Sequence, residues 1–401
     1  MNKFIIPLSS SKKLQLISSI WIGLSILYQV YFFEFKNGTI IGGESQRLFL
    51  KFVFTVLFTL SVSNYLSWSA FFRNFFHKLP ILYVVISISL LAPLLASDYL
   101  QALNIVFFLP IMFIDWNRDG GEKLYTLIWI IITVTTLVQL VMDPLFKLYF
   151  DVYWTNKAMI GGMGNPNVFG IFLIASGLVS EFLITSWLKY FSIFLFFSTA
   201  LTGSLVSLII GFVLILIKTK YYLKNSPIKS LLLFGLILIT LNIIVLDDYF
   251  SNDFRALNHA LGKLDGVINV LNNDSTEASS LSIRMEYFRD GLMLIEESPL
   301  SLIFGHPDFL PMYNGDGLWT SFLVSYGLPL TLYFLMVNLM LIYRGIRLRT
   351  HVFKFSSSVI FVCMCFFVTN RILDYWPAAF IYILAFTYLS NKIVTVGNCI
   401  R

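Results

Sequence analysis

The sequence predicts an all-α integral membrane protein with about twelve transmembrane helices and one large loop on the outer side. Three observations predict it. The 401 residues are 57% hydrophobic and only 12% charged, whereas soluble globular chains carry about 25% charged residues. Apolar runs approaching the ~20 residues needed to cross a bilayer core recur along the whole length. The basic residues between those runs alternate in density, as the positive-inside rule requires of a polytopic protein. A soluble enzyme, a disulfide scaffold, a disordered chain and a transmembrane β-barrel are excluded. A barrel would show weak alternating strands of about ten residues instead of continuous apolar runs.

The twelve spans fall at roughly 14–33, 49–70, 79–96, 99–114, 124–142, 166–185, 188–202, 204–217, 230–246, 317–343, 354–369 and 375–391. The first follows basic residues, is too long for a signal-peptide core and lacks a small-residue cleavage pattern, so it reads as a permanent span. The seventh and eighth are separated only by Thr202-Gly203. The eighth is short, which suits a tilted or partly re-entrant helix. With both termini in the cytoplasm, the cytoplasmic segments hold 18 of the 28 Lys and Arg residues. Adding or removing a helix would move a basic cluster to the wrong side. The net charge of +6 therefore reflects cytoplasmic loops and does not point to nucleic acid. Cys363 and Cys365 lie in an apolar run and Cys399 near the last residue, so the three form no disulfide framework.

The main irregularity is 247–316, which holds 12 of the 22 acidic residues. By the alternation it faces outward, toward the periplasm of a Gram-negative cell. Its first part is polar and turn-rich. In its second part Ile283, Tyr287, Leu294 and Ile295 recur at helical spacing, with Ser282 as the expected cap and Pro299 as the stop.

Candidate chemistry concentrates on the outer side. Arg284 and Arg289 are five residues apart, about 140° around a helix axis, so they can flank one ligand. The guanidinium fork matches phosphate oxygens and stays charged. On a solvated surface the same pair would simply meet Glu286, Asp290 or Glu296. The segment GGMGNPNVFG (161–170) starts the sixth span, with Asn165 as N-cap and Pro166 in the first turn. Glycines before a helix start let amides approach an anion, though Gly-Asn-Pro-Asn is also plain turn chemistry. In HPDFLPMYNGDGLWTSFLVSYG (306–327), His306 offers an imidazole for proton transfer. Asp308 or Asp316 there suits a general base, while Asp316 equally suits an Asx cap to the following helix. Glu181 and Lys51 lie in or near apolar runs, where they would snorkel, and Arg371 would pair with Asp374. Charges inside spans mark ion pathways, and their near absence here argues against an ion-coupled pump. No Walker A, HExxH, paired CxxC or EF-hand pattern occurs, so no nucleotide or metal cofactor is expected.

Four segments in order resemble the O-antigen polymerase and ligase superfamily, the Wzy-type polymerases and their ligase relatives. GGMGNPNVFGIFL is similar to that family's Gly-x-x-x-x-Pro-Asn start to a central span. STALTGSLVSLIIGFVLILI (198–217) is similar to its Ser-x-Ser-Arg-rich helix start, except that Leu205 follows Ser204 and the usual Arg is missing. IRMEYFRDGLMLIEESPLSLIFGHP resembles Arg-x-x-x-aromatic…Pro-Leu-x-Gly-x-Gly, with Arg284 and Gly305 matching and His306-Pro307 departing from it. DGLWTSFLVSYGLPLTLYFL resembles the ligases' His-Asn-x-x-Leu…Gly, with Asp316-Gly317 at the His-Asn positions and Gly327 at the later Gly. These motifs cover about a quarter of the chain. The missing His favours a polymerase over a ligase.

The resemblance implies a glycosyltransferase of the lipid-linked-sugar (GT-C-like) type in the bacterial inner membrane, acting in lipopolysaccharide O-antigen biosynthesis. It would move an undecaprenyl-diphosphate-linked chain onto a new lipid-linked repeat unit at the periplasmic face. A chain-length regulator is an implied partner. Arg284 would stabilise the leaving diphosphate, with Arg289 or Arg255 second. Asp316, then His306, would accept the proton. Asn165, Asn167, Tyr287, Tyr313 and Trp319 would bind substrate, the aromatic ones as stacking faces. Two rivals remain open: an O-antigen ligase using lipid A–core as acceptor, and a flippase for lipid-linked oligosaccharides. A flippase would need charges in several helices and no large outer loop.

Overall fold

The computed structural model describes residues 34–35, 39–40, 44–76, 110–149, 159–161, 165–183, 191–225, 280–306, 317–348, 350–369 and 376–399. These are mostly helical. Eleven helices are named here: α1 Glu44–Val62, α2 Trp68–Phe76, α3 Gly121–Tyr149, α4 Pro166–Phe182, α5 Phe191–Ser198, α6 Leu205–Asn225, α7 Ser280–Glu297, α8 Ser301–Phe304, α9 Leu318–Arg347, α10 His351–Phe366 and α11 Trp376–Cys399. A two-rung antiparallel ladder pairs β1 (Glu34–Phe35) with β2 (Thr39–Ile40). Two helical stretches, Gly121–Met142 and Trp319–Arg347, are long and apolar enough to cross a membrane by length and composition.

Local chemistry sets the helix starts. The Asn165 side chain accepts from the amides of Asn167 and Val168, and Pro166 occupies the first turn of α4. Thr350 caps α10 by accepting from Phe353 N. Between α5 and α6 a 3₁₀ turn, Thr199–Thr202, ends at Gly203, whose φ of 59° lets the chain reverse. The expected division at Thr202-Gly203 is therefore a real corner.

Two expectations are corrected. The predicted span 49–70 is not one helix. Residues 63–65 tighten to a 3₁₀ turn and 66–67 leave the helix, where Leu66 bridges Ile114, Ser67 N donates to Phe113 O, and Asp115 N donates to Tyr65 O. Ser282 is not a cap, since α7 already begins at Ser280, though the helix does stop before Pro299. The predicted spans 14–33, 79–96 and 230–246, most of 99–114, Lys51's side chain and the Arg371–Asp374 pair lie outside the described residues.

The core joins α3, α10 and α11. Tyr125 stacks on Tyr388 with centroids 3.9 Å apart, and Trp129 meets Phe355 edge-on at 4.8 Å. Polar groups inside this cluster bond to one another: Tyr125 with Ser356 at 2.7 Å, and Trp116 Nε1 to Thr387 at 3.3 Å. Residues 377–391 of α11 are all buried, which makes it the central helix. α10 lies between α4 and α9, packing on both.

Side-chain bonds fix helix directions. Asn167 and Ser204 meet where α4 and α6 begin, while Glu181 and Lys218 meet toward their other ends. α4 and α6 therefore run parallel, with α5 returning between them. Trp319 N donates to Phe367 O at 3.4 Å, so α9 begins where α10 finishes.

Candidate functional site

The second half of the expected outer loop is anchored to a broken helix. α9 departs from helical geometry at Gly327, with φ 79° and ψ 170°, two residues before Pro329. A break of this kind frees carbonyls that the next turn would have engaged, and Pro supplies no N–H. α8 fits into the gap. His306 N donates to Val324 O at 2.6 Å. A Cβ at Gly327 would lie 2.6 Å from the Ile303 carbonyl carbon, and one at Gly305 (φ 81°) would lie 2.5 Å from Tyr326 N. These two glycines, both part of the motif resemblance, thus permit direct backbone contact between α8 and α9.

This docking positions α7, which packs on both α8 and α9. Gly291 is buried while Glu286, Arg289, Glu296 and Glu297 are exposed. Position 284 lies seven residues, about two turns, before Gly291, on the packed face of the helix. Arg289 faces outward.

Trp319, at the start of α9, stands among aromatic rings: Phe322 at 6.4 Å, Phe334 at 5.7 Å and Phe367 at 5.8 Å between centroids. His306 is half-buried against α9. Arg255, Asp308, Tyr313 and Asp316 lie outside the described residues, as do the side chains of Arg284 and Tyr287.

A second polar group forms at the starts of α4 and α6. Asn165 Oδ1 takes the amides of Asn167 at 2.8 Å and Val168 at 3.4 Å, while Phe169 N donates to Asn165 O at 3.0 Å. Pro166 has no N–H. The amides of Asn167, Val168 and Phe169 are therefore engaged within the turn, and Gly162 and Gly164 lie outside the described residues. Asn167 Oδ1 accepts from Ser204 Oγ, which ties the two helix starts together. Ser207 presses on Gly170: a Cβ there would lie 2.7 Å from Ser207 Cβ. α10 stands between this group and the α7–α8–α9 assembly.

The sequence reading missed one charged cluster. Glu181 does not snorkel alone; it forms an ion pair with Lys218, which also donates to Ser192. Lys218 is buried, with 7% of its side chain exposed. The signal was present in the topology. Spans 166–185 and 204–217 run the same way, and Glu181 and Lys218 follow Asn165 and Ser204 by similar lengths. Opposite charges therefore fall at one depth. Among the described residues no cluster of His, Cys, Asp and Glu could hold a metal ion. No protein-family model matches the chain, and no curated protein matches it.

Proposed function

We propose that this chain is a twelve-span enzyme of the bacterial inner membrane, an O-antigen polymerase that joins undecaprenyl-diphosphate-linked repeat units at the periplasmic face. One observation carries the reading. The helix bearing position 284 on its packed side is held, through α8, in a break of the membrane-length helix α9. A helix that carries Arg284 and Arg289, anchored in this way, can bring a guanidinium to a diphosphate that reaches the surface on a lipid, although its four carboxylates give it a net negative charge.

In the proposed reaction the sugar C1–O bond to the donor diphosphate breaks and the electron pair leaves with the diphosphate. The acceptor hydroxyl forms the new glycosidic bond and gives its proton to a base. Arg284 would hold the leaving diphosphate, since fixed donors aimed at developing charge lower the barrier. Asp316 or His306 would take the proton, and Arg255, Arg289, Tyr287, Tyr313 and Trp319 would line the sugar path. Asn165 and Asn167 would act by holding the starts of α4 and α6 together. Bond energy in the donor drives the step, so neither nucleotide nor ion gradient enters.

The test is reconstitution. Purified chain in vesicles, given only lipid-diphosphate-linked repeat units, should produce polymer and release undecaprenyl diphosphate. Failure to elongate, while the same units are carried across the bilayer, would replace this reading with that of a flippase.

A further inference from the structure

α8 docks at Gly327, nine residues beyond the start of α9 at Leu318, roughly 14 Å along the axis. The apolar stretch Trp319–Arg347 has 29 residues, or about 43 Å, against a hydrocarbon core of about 30 Å. Sharing the excess between both ends sets Gly327, and α8 with it, about 5 Å below the outer edge of the hydrocarbon. At that level the side chains of α8 and the turn before it point outward: Leu300 is 66%, Ile303 50% and Phe304 75% exposed. Their apolar surface continues along α9 through Leu328, Leu332 and Met336, which are also exposed. Polarity reverses within one turn, because Glu296 and Glu297 just before the tip are exposed carboxylates.

The backbone meets the requirement for irregular structure at membrane depth, where N–H and C=O groups need internal partners. Ile303 and Phe304 N donate to Leu300 O, Gly305 N to Ser301 O, and His306 N to Val324 O. We propose that α8 and its preceding turn form a re-entrant wedge, with Leu300, Ile303 and Phe304 in contact with acyl chains of the outer leaflet. The wedge rests on the reading that α9 spans the membrane. It fixes the height of the end of α7 at Glu297, which joins the wedge.

Site-directed spin labelling tests this in full-length protein. With Cys363, Cys365 and Cys399 replaced by Ala, single labels go on Leu300→Cys, Phe304→Cys, Glu297→Cys and Met336→Cys. The protein is reconstituted in phosphatidylethanolamine–phosphatidylglycerol vesicles. Collision rates are read with oxygen, which partitions into lipid, and with a water-soluble nickel chelate. Labels at 300 and 304 should favour oxygen severalfold, as at 336, and the label at 297 should favour nickel. Nickel preference at 300 and 304 with oxygen preference at 336 would overturn the wedge and leave the spanning of α9 intact. Nickel preference at 336 as well would overturn both. Low collision with both reagents at 300 and 304 would mean that a second copy of the chain covers the tip, and would also overturn it.

Discussion

Replacing Gly327 with Ala should release the outer helical segment while leaving the rest of α9 in place. Two costs add. The φ 79°, ψ 170° geometry is essentially restricted to Gly and costs other residues about 1–3 kcal/mol. The new methyl would also lie 2.6 Å from the Ile303 carbonyl carbon and 2.9 Å from Leu302 O. Those are backbone atoms, so no side-chain rotation relieves the contact and α8 must withdraw. Withdrawal breaks the 2.6 Å bond from His306 N to Val324 O, about 1 kcal/mol net that the wild type would also lose on undocking. The penalty on the docked state, about 2–3 kcal/mol from strain and contact together, shifts docked against undocked α8 by roughly thirty- to a hundredfold. Limited proteolysis of spheroplasts reads this directly. Gly327→Ala should be cut far faster within 280–306 at unchanged protein level, whereas Leu332→Ala, altering an exposed side chain, should match wild type. Unchanged cleavage of Gly327→Ala would refute the reasoning that these glycines hold α8 in the break.

Three further outcomes are expected. Glu181→Leu, which strands the buried Lys218 ammonium, should lower thermal stability in detergent by about 3 kcal/mol; the double variant Glu181→Leu/Lys218→Met should recover most of it, and a double variant no better than Glu181→Leu would discount the pair. Gly170→Ala should cost about 1–3 kcal/mol by overpacking against Ser207, and Ser207→Gly in the same chain should relieve it in the melting temperature. Arg284→Ala should abolish polymer in lipopolysaccharide while the protein still accumulates, Arg284→Lys should be impaired because a point charge lacks the fork, and exposed Arg289→Ala should lose less. A normal ladder from Arg284→Ala removes that residue from the mechanism.

Apolar periodicity was enough to place most described helices, because a membrane-length run leaves few alternatives. It located α3, α4, α9, α10 and α11, and the corner at Gly203. It failed at 63–67, where Leu66 and Ser67 pair with residues 113–114, far away in sequence. It also missed the break in α9: Gly327 and Pro329 are visible, but their effect depends on α8 arriving to fill the gap. The cap at Asn165 was legible and the use made of its amides was not, since hydrogen-bond allocation is decided in three dimensions. Glu181 and Lys218 were separately visible, and only the shared direction of their helices brings them together.

The central claim, that this chain lengthens lipid-linked O-antigen, is tested most directly by the glycan on lipid A–core in its native host after deletion of the gene. The account predicts a single repeat unit per core and no ladder, restored by the intact gene. Long polymer stranded on undecaprenyl diphosphate, or an unchanged ladder, would contradict it.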